Sequence, residues 1–217
     1  MALALFDLDN TLLDGDSDYL WGQFLIELGV VNADTHDREN HRFYEDYKNG
    51  TLDIDAFLAF QLAPLAQHSR TTLEAWHQQF MAEKIKAIML DKSKQLIAQH
   101  RDAGDTLLII TATNRFVTGP IATAFGIETL IATEPEEKDG KFSGRYSGTP
   151  CFREGKVVRL NEWRAKNNHS LADSYFYSDS HNDLPLLKMV DHPVAVDADE
   201  ALTEHAQNHG WGIISLR

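Results

Sequence analysis

The chain begins with an apolar run of strand length that ends in two carboxylates. Residues 2–6 are continuously hydrophobic, and Asp7 and Asp9 follow directly. An unbroken run of this kind is typical of a strand buried on both faces of a parallel sheet. Because ligands of open parallel sheets bind at the carboxyl ends of strands, the pattern predicts a polar site at Asp7 and Asp9.

Helical periodicity replaces the strand pattern after Thr11 and continues for about seventy residues, too long for an ordinary connection. The pattern predicts four helices: one that Ser17 caps and Gly29 ends, one around Arg38 to Lys48, one from about Ile54 toward Pro64, and one from about Thr71. Their periodic aromatic residues are expected to form the core of this segment. We therefore predict an inserted α-helical cap over residues 15–87.

Strands and helices alternate from Asp91 onward. Strands are predicted at residues 106–110, 173–177, 192–196 and 211–216, with a β-hairpin between Leu130 and Glu154. Alternation of this kind specifies a doubly wound parallel sheet, which gives an α/β fold class. The predicted core comprises residues 1–14 and 88–217.

The composition narrows the classes of partner. The formal net charge is −13, with 20 Lys and Arg against 33 Asp and Glu, which argues against nucleic acid and anionic membranes. The early Asp7 and Asp9 do not suit a signal peptide, and no apolar run reaches membrane-spanning length. Cys151 is the only cysteine of the chain, so an internal disulfide is excluded. We expect a cytoplasmic monomer or homodimer that acts on a small metabolite.

Three further segments place polar residues at the ends of predicted strands or at helix starts. Thr111-Ala112-Thr113-Asn114 lies between a strand and a helix, where hydroxyls and backbone N–H groups favour an anion. Lys156 opens another helix, and Asp179 and Asp183 follow a later strand.

Together with Asp7-Leu8-Asp9-Asn10-Thr11, these segments resemble, in order, the four motifs of the haloacid dehalogenase-like (HAD) superfamily. The resemblance is greatest to the branch with a helical cap after the first strand, which includes phosphoserine phosphatase. It implies a phosphatase in which Asp7 is the nucleophile and Asp9 the general acid and base. It also implies that Thr111 binds a phosphate oxygen, and that Lys156 is the third-motif lysine.

The resemblance further implies a Mg²⁺ site formed by Asp7, Asp179 and the backbone carbonyl of Asp9, an oxygen-only set that suits this cation. Asp7, Asp179 and a dianionic phosphoryl group together carry four negative charges, which Mg²⁺ and Lys156 reduce to one. Asp183 is expected to orient Lys156 or a metal-bound water.

The motifs indicate the type of reaction more clearly than they indicate the substrate. Phosphoserine phosphatases usually have two glycines after the second-motif serine and a Glu nine residues after the nucleophile, whereas this chain has Ala112-Thr113-Asn114 and Asp16. If Asp16 binds an ammonium group, the substrate is an amino-alcohol phosphate, with histidinol phosphate first and phosphoserine second; otherwise Asp16 caps a helix. Thr113, Asn114 and Asn182 are predicted to contact the substrate.

Two other functions stay open on the same core. A phosphotransferase or phosphomutase differs only in the acceptor of the phosphoryl group, and a non-catalytic phosphate-binding protein would share the fold. The intact acidic fourth motif argues against a haloalkanoic dehalogenase, which needs no metal.

Overall fold

The computed structural model describes residues 2–217, which form a seven-stranded sheet. Its strands are β1 (Leu3–Phe6), β2 (Thr106–Asn114), β3 (Thr129–Lys138), β4 (Lys141–Ser147), β5 (Tyr175–Ser178), β6 (His192–Val196) and β7 (Gly212–Ile214). The spatial order is β4-β3-β2-β1-β5-β6-β7, and all neighbours are parallel except β3 and β4, which form an antiparallel hairpin. This confirms the predicted doubly wound α/β class, with β1 at the centre.

Four helices come first in the chain after β1. They are α1 (Ser17–Glu27), α2 (Ala33–Lys48), α3 (Ile54–Ala66) and α4 (Arg70–Phe80), followed by a π-helical turn at Met81–Ile85 and the short α5 (Lys86–Ile88). We call residues 17–88 the helical segment. The remaining helices are α6 (Asp91–Asp102), α7 (Arg115–Ala124), α8 (Glu154–Asn167), α9 (Leu184–Leu187) and α10 (Glu200–His209).

Side-chain alternation along β1 explains how the helices divide between the two faces. Ala4 and Phe6 join a core cluster that includes residues of α6, α7 and the helical segment. Leu3 and Leu5 join the opposite cluster with residues of α8, α9 and α10. Because successive side chains of a strand point to opposite faces, a strand that is apolar at every position needs helices on both sides.

The helical segment has an aromatic core of its own, as its periodicity predicted. Trp21, Phe24 and Phe80 are fully buried, and the rings of Trp21 and Phe80 meet edge to face with centroids 5.2 Å apart. His77 packs into the same cluster, 5.8 Å from Trp21. The segment therefore buries apolar surface within itself as well as against the sheet.

Several predicted boundaries were wrong. The carboxylate of Asp16, rather than Ser17, caps α1, and α2 begins at Ala33, before the predicted Arg38. Strand β2 continues past Thr111 to Asn114, since the pairing with β3 resumes after an irregularity. No helix of the described chain is long and apolar enough to cross a lipid bilayer.

Candidate active site

The order of the central strands brings the separated motifs together at one edge of the sheet. Because β1 lies between β2 and β5, the residues that follow Phe6 meet those at the carboxyl ends of the two neighbours. Thr11 and Asp179 are 168 positions apart, yet the Thr11 hydroxyl donates to Asp179 Oδ1 at 2.9 Å. The edge therefore collects groups that the sequence places far apart.

Lys156 lies between two carboxylates. Its Nζ donates to Asp7 Oδ1 at 3.0 Å and to Asp183 Oδ2 at 2.7 Å, and its side chain is almost fully buried. Ser178 donates a further hydrogen bond to Asp183 Oδ2 at 2.7 Å. Burial alone would lower the pKa of Lys156, but Asp183 and Asp7 raise it above its ordinary value. The lysine therefore stays charged beside Asp7.

Burial raises the pKa of Asp7 to about 7, an effect that the neighbouring Lys156 opposes. The Asp7 carboxylate is thus buried away from water, with Lys156 as its one cationic partner and with Asp183 and Asp9 nearby. A buried carboxylate of this kind needs additional positive charge before a phosphate dianion can approach it.

Asp9 is surrounded by hydrogen-bond donors. The Ser17 N–H donates to Oδ1 at 2.6 Å, and the hydroxyls of Thr113 and Thr111 lie 2.8 and 3.5 Å from Oδ2. Burial and the nearby Asp16 raise the pKa of Asp9 to about 6, while the bonds from Ser17 and Thr113 oppose this rise. A carboxyl group with a pKa near neutrality is suited to giving and taking a proton.

Asp179 completes the acidic edge. Its pKa lies well above the ordinary value because it is buried and because Asp7 is close. Within residues 2–217, no three acidic, histidine or cysteine side chains are grouped to hold a metal by themselves. Two carboxylates and one backbone carbonyl are nevertheless a fitting donor set for Mg²⁺, which keeps several positions for water and substrate oxygens.

Two asparagines predicted to contact substrate have other partners. The side chain of Asn114 accepts from the Val117 N–H at 3.2 Å and so caps α7. Asn182 donates to the Tyr47 carbonyl at 3.0 Å and accepts from Arg153 Nε at 2.9 Å. Neither asparagine belongs to the cavity lining.

Asp16 caps a helix and also lies at the cavity, which are the two places that the sequence suggested for it. Its Oδ1 accepts from the N–H groups of Asp18 and Tyr19, each at 2.9 Å, which is a helix N-cap. The residue also lines the cavity above Asp7. Capping uses one of its two carboxylate oxygens, so the geometry alone leaves its part in substrate binding a prediction.

The cavity extends from the acidic edge into the helical segment. Thr111, Thr113 and Lys156 lie at its base, and α1, α2 and α3 supply much of its wall. Its aromatic lining residues are Tyr19, Phe43, Tyr44, Tyr47, Phe57 and Phe152, and its buried amide side chains are Asn40 and Gln61. The base suits a phosphate group, and the wall suits a partly planar organic group.

Arg153 and Asp18 are two functional candidates that sequence reasoning missed. Arg153 Nη2 donates to the Gly50 carbonyl at 2.6 Å, which joins the start of α8 to the end of the α2 region. Its backbone has φ 50° and ψ −120°. A residue with a side chain rarely adopts this conformation, so nothing in the sequence signals it. Asp18 resembles an ordinary first-turn acid of a helix, and only the tertiary structure shows that it is buried in the cavity wall.

The parallel sheet and the acidic strand-end site are those of a HAD-like hydrolase. The family model for haloacid dehalogenase-like hydrolases matches residues 4–188, and the chain belongs to this family. The resemblance inferred from the motifs is thereby confirmed.

Individual relatives agree with this assignment. The chain is 47% identical over 219 residues to a histidinol-phosphatase of Neisseria meningitidis serogroup C (strain 8013), covering 99% of both chains. A crystal structure of a protein of unknown function from Bordetella pertussis Tohama I has a TM-score of 0.94 and 47% identity, covering 100% of this chain and 99% of the other. The chain is an enzyme, a HAD-family phosphatase, as the sequence predicted.

A substrate-bound phosphoserine phosphatase shares the fold at lower sequence identity. Its TM-score is 0.72 with 18% identity, and the alignment covers 100% of this chain and 93% of that chain. This likeness confirms the architecture that the sequence predicted.

Proposed function

We propose that the protein hydrolyses a small amino-alcohol phosphate, with histidinol phosphate as the first candidate, through an aspartyl-phosphate intermediate and with Mg²⁺. The observation that carries the proposal is the buried Lys156 between Asp7 and Asp183, which keeps a carboxylate and a cation together beneath the cavity. The identity of 47% to a histidinol-phosphatase over nearly the full chain supports the choice of substrate. Residues 15–87 would act as the cap that covers this substrate.

In the first half-reaction, an Asp7 oxygen attacks phosphorus and the bond from phosphorus to the ester oxygen breaks. Asp9 gives its proton to the departing oxygen, so that an alcohol leaves. Lys156 and the hydroxyl of Thr111 face the phosphoryl oxygens, which carry the charge of the transition state. When bound at Asp7, Asp179 and the Asp9 carbonyl, Mg²⁺ would supply the remaining positive charge.

In the second half-reaction, Asp9 takes a proton from water as the water oxygen attacks phosphorus. The bond between phosphorus and the Asp7 oxygen breaks, inorganic phosphate leaves, and Asp7 is restored. Asp9 returns to its protonated form, so both half-reactions balance.

The nucleophile is tested with Asp7→Asn, which keeps the shape of the side chain but cannot attack phosphorus. With Mg²⁺ present, the variant should release no phosphate from histidinol phosphate, phosphoserine or p-nitrophenyl phosphate. Asp14→Asn is the matched control, because Asp14 is an exposed acid of the same loop. Turnover by Asp7→Asn at a rate near that of the wild type would contradict the mechanism.

The general acid is tested with Asp9→Asn, which should lower the rate for an alkyl ester by about two to four orders of magnitude. The loss should be smaller for p-nitrophenyl phosphate, since its leaving group needs no proton. Equal losses for the two esters would remove Asp9 from this role.

A further inference from the structure

Asp18 is a buried carboxylate without a partner. It is 3% exposed, and neither of its oxygens receives a hydrogen bond from any group in residues 2–217. The residue belongs to the lining of the cavity above the acidic edge. A buried charge without a partner is costly, because it has lost its hydration and gained nothing in return.

Its position in the first turn of α1 does not account for this cost. The positive end of a helix dipole already gives an acid there a modest stabilisation when the acid is exposed to water. An exposed side chain would obtain that benefit without losing its hydration. Burial of Asp18 in a cavity wall therefore points to a bound group.

The surrounding charges indicate the sign of that group. The charged residues in the lining, among those that the structure describes, are Asp7, Asp9, Asp16, Asp18 and Lys156. The single ammonium is already bound by Asp7 and Asp183. Burial, followed by the nearby Asp16 and Asp9, raises the pKa of Asp18 well above its ordinary value, so a cation is needed beside it to favour the charged form.

A hydrogen bond from a backbone N–H joins the start of α1, next to Asp18, to the acidic edge. The N–H of Ser17, the residue before Asp18, donates to Asp9 Oδ1 at 2.6 Å, so the start of α1 is attached to the proposed general acid. A cation bound by Asp18 would thus lie in the same cavity as the oxygen that Asp9 protonates. A protonated amino group of the substrate has the required charge.

We propose that Asp18 binds the protonated amino group of the substrate and so selects phosphomonoesters of amino alcohols, an inference that rests on the proposed phosphatase function. Asp16 differs from Asp18 because one of its oxygens already caps α1. The aromatic wall of Phe43, Tyr44 and Phe57 then remains for the rest of the substrate.

The test compares two esters that differ only in the amino group: histidinol phosphate and 3-(imidazol-4-yl)propyl phosphate. The ratio of their kcat/KM values is measured for the wild type and for Asp18→Asn. We expect the ratio to fall by about tenfold to a hundredfold, mainly through KM, because a charge-assisted hydrogen bond becomes a neutral one. Asp34→Asn is the control, since Asp34 is an exposed acid of the helical segment, and it should keep the wild-type ratio.

A ratio in Asp18→Asn within twofold of the wild-type value would overturn the inference. Asp18→Ser provides a second variant with the same expected loss, and thermal unfolding of both shows that they fold. The activity of the wild type on histidinol phosphate, its analogue without the amino group and p-nitrophenyl phosphate distinguishes failure of this inference from failure of the proposed function. If the wild type hydrolyses these esters without preference for the amine-bearing one, the phosphatase stands and the role of Asp18 fails. If it hydrolyses none of them, the proposed function itself is wrong.

Discussion

The hydroxyl of Thr113 donates a hydrogen bond of 2.8 Å to Asp9 Oδ2. This bond lowers the pKa of Asp9, against the burial that raises it to about 6, and it fixes the direction of the carboxyl group. Thr113→Val keeps the side-chain volume but removes the donor, so kcat should fall by about tenfold or more. Thr113→Ser should stay near the wild type, and Thr123→Val, at an exposed position in α7, is the control for the substitution itself. The kcat of each variant is measured with one alkyl ester. Equal kcat values for Thr113→Val and Thr113→Ser would show that the hydrogen bond to Asp9 does not contribute to catalysis.

Removal of divalent metal should abolish turnover. Burial and the nearby Asp7 raise the pKa of Asp179, and bound Mg²⁺ would relieve the repulsion between the two carboxylates. We expect EDTA to stop phosphate release and added Mg²⁺ to restore it, and Asp179→Asn to need a much higher Mg²⁺ concentration for half-maximal activity. Asp102→Asn, an exposed acid at the end of α6, should keep the wild-type Mg²⁺ dependence. Full activity in EDTA would exclude the metal from the reaction.

Arg153 connects the core to the helical segment through Asn182 and the Gly50 carbonyl. Loss of its side chain should raise KM several-fold, because the wall of the cavity is then held less firmly. Arg153→Ala and Arg153→Gly remove the same contacts, but a backbone at φ 50° suits glycine better by about 1 kcal/mol. The two variants should therefore share the increase in KM, while Arg153→Gly unfolds at the higher temperature. An unchanged KM in both would limit Arg153 to a structural role.

Gly155 has no room for a side chain. A Cβ at this position would lie 2.0 Å from the Pro150 carbonyl oxygen, so the start of α8 must move if alanine is introduced. Gly155→Ala should lower the free energy of unfolding by about 1–3 kcal/mol and reduce activity, because Lys156 is the next residue. Gly119→Ala is the opposite case: it lies in a helix with open space around it, and should stabilise by about 0.5–1 kcal/mol. Chemical denaturation of both variants measures whether the free energy of unfolding falls or rises. An increase for Gly155→Ala would contradict the expectation.

His77 makes the stability sensitive to acid. It is buried against Trp21 and bonds through Nε2 to the Val117 carbonyl at 2.8 Å, and burial lowers its pKa below 6.5. Just below pH 6.5 the unfolded chain therefore binds more protons than the native one at this site, so the stability that His77 contributes is lost as the pH falls. His77→Gln should have a smaller decrease in Tm than the wild type between pH 7 and 5. The exposed His41→Gln should follow the wild type, and identical slopes for His77→Gln and the wild type would refute the effect.

The parts of the fold that depend on local pattern could be read from the sequence. The apolar run before Asp7 predicted a strand buried on both faces, because only a central parallel strand is apolar at every position. The Asp139-Gly140 turn predicted the hairpin of β3 and β4, and both backbones have positive φ. The four motifs could be placed at strand ends and helix starts for the same reason, since each follows a periodic segment.

The roles of individual side chains at the site depended on neighbours that the sequence does not reveal. Asn182 lies in a predicted loop, but its side chain donates to the distant Tyr47 carbonyl. Asn114 differs, since its bond from the Val117 N–H is a local helix cap. Nothing in the sequence distinguishes Asp18 from an ordinary first-turn acid of a helix, and only the tertiary structure shows that its carboxylate is buried in the cavity wall. Spacing along the chain determines which residues reach the edge of the sheet, whereas the tertiary structure decides which of their side chains are buried and which hydrogen bonds they make.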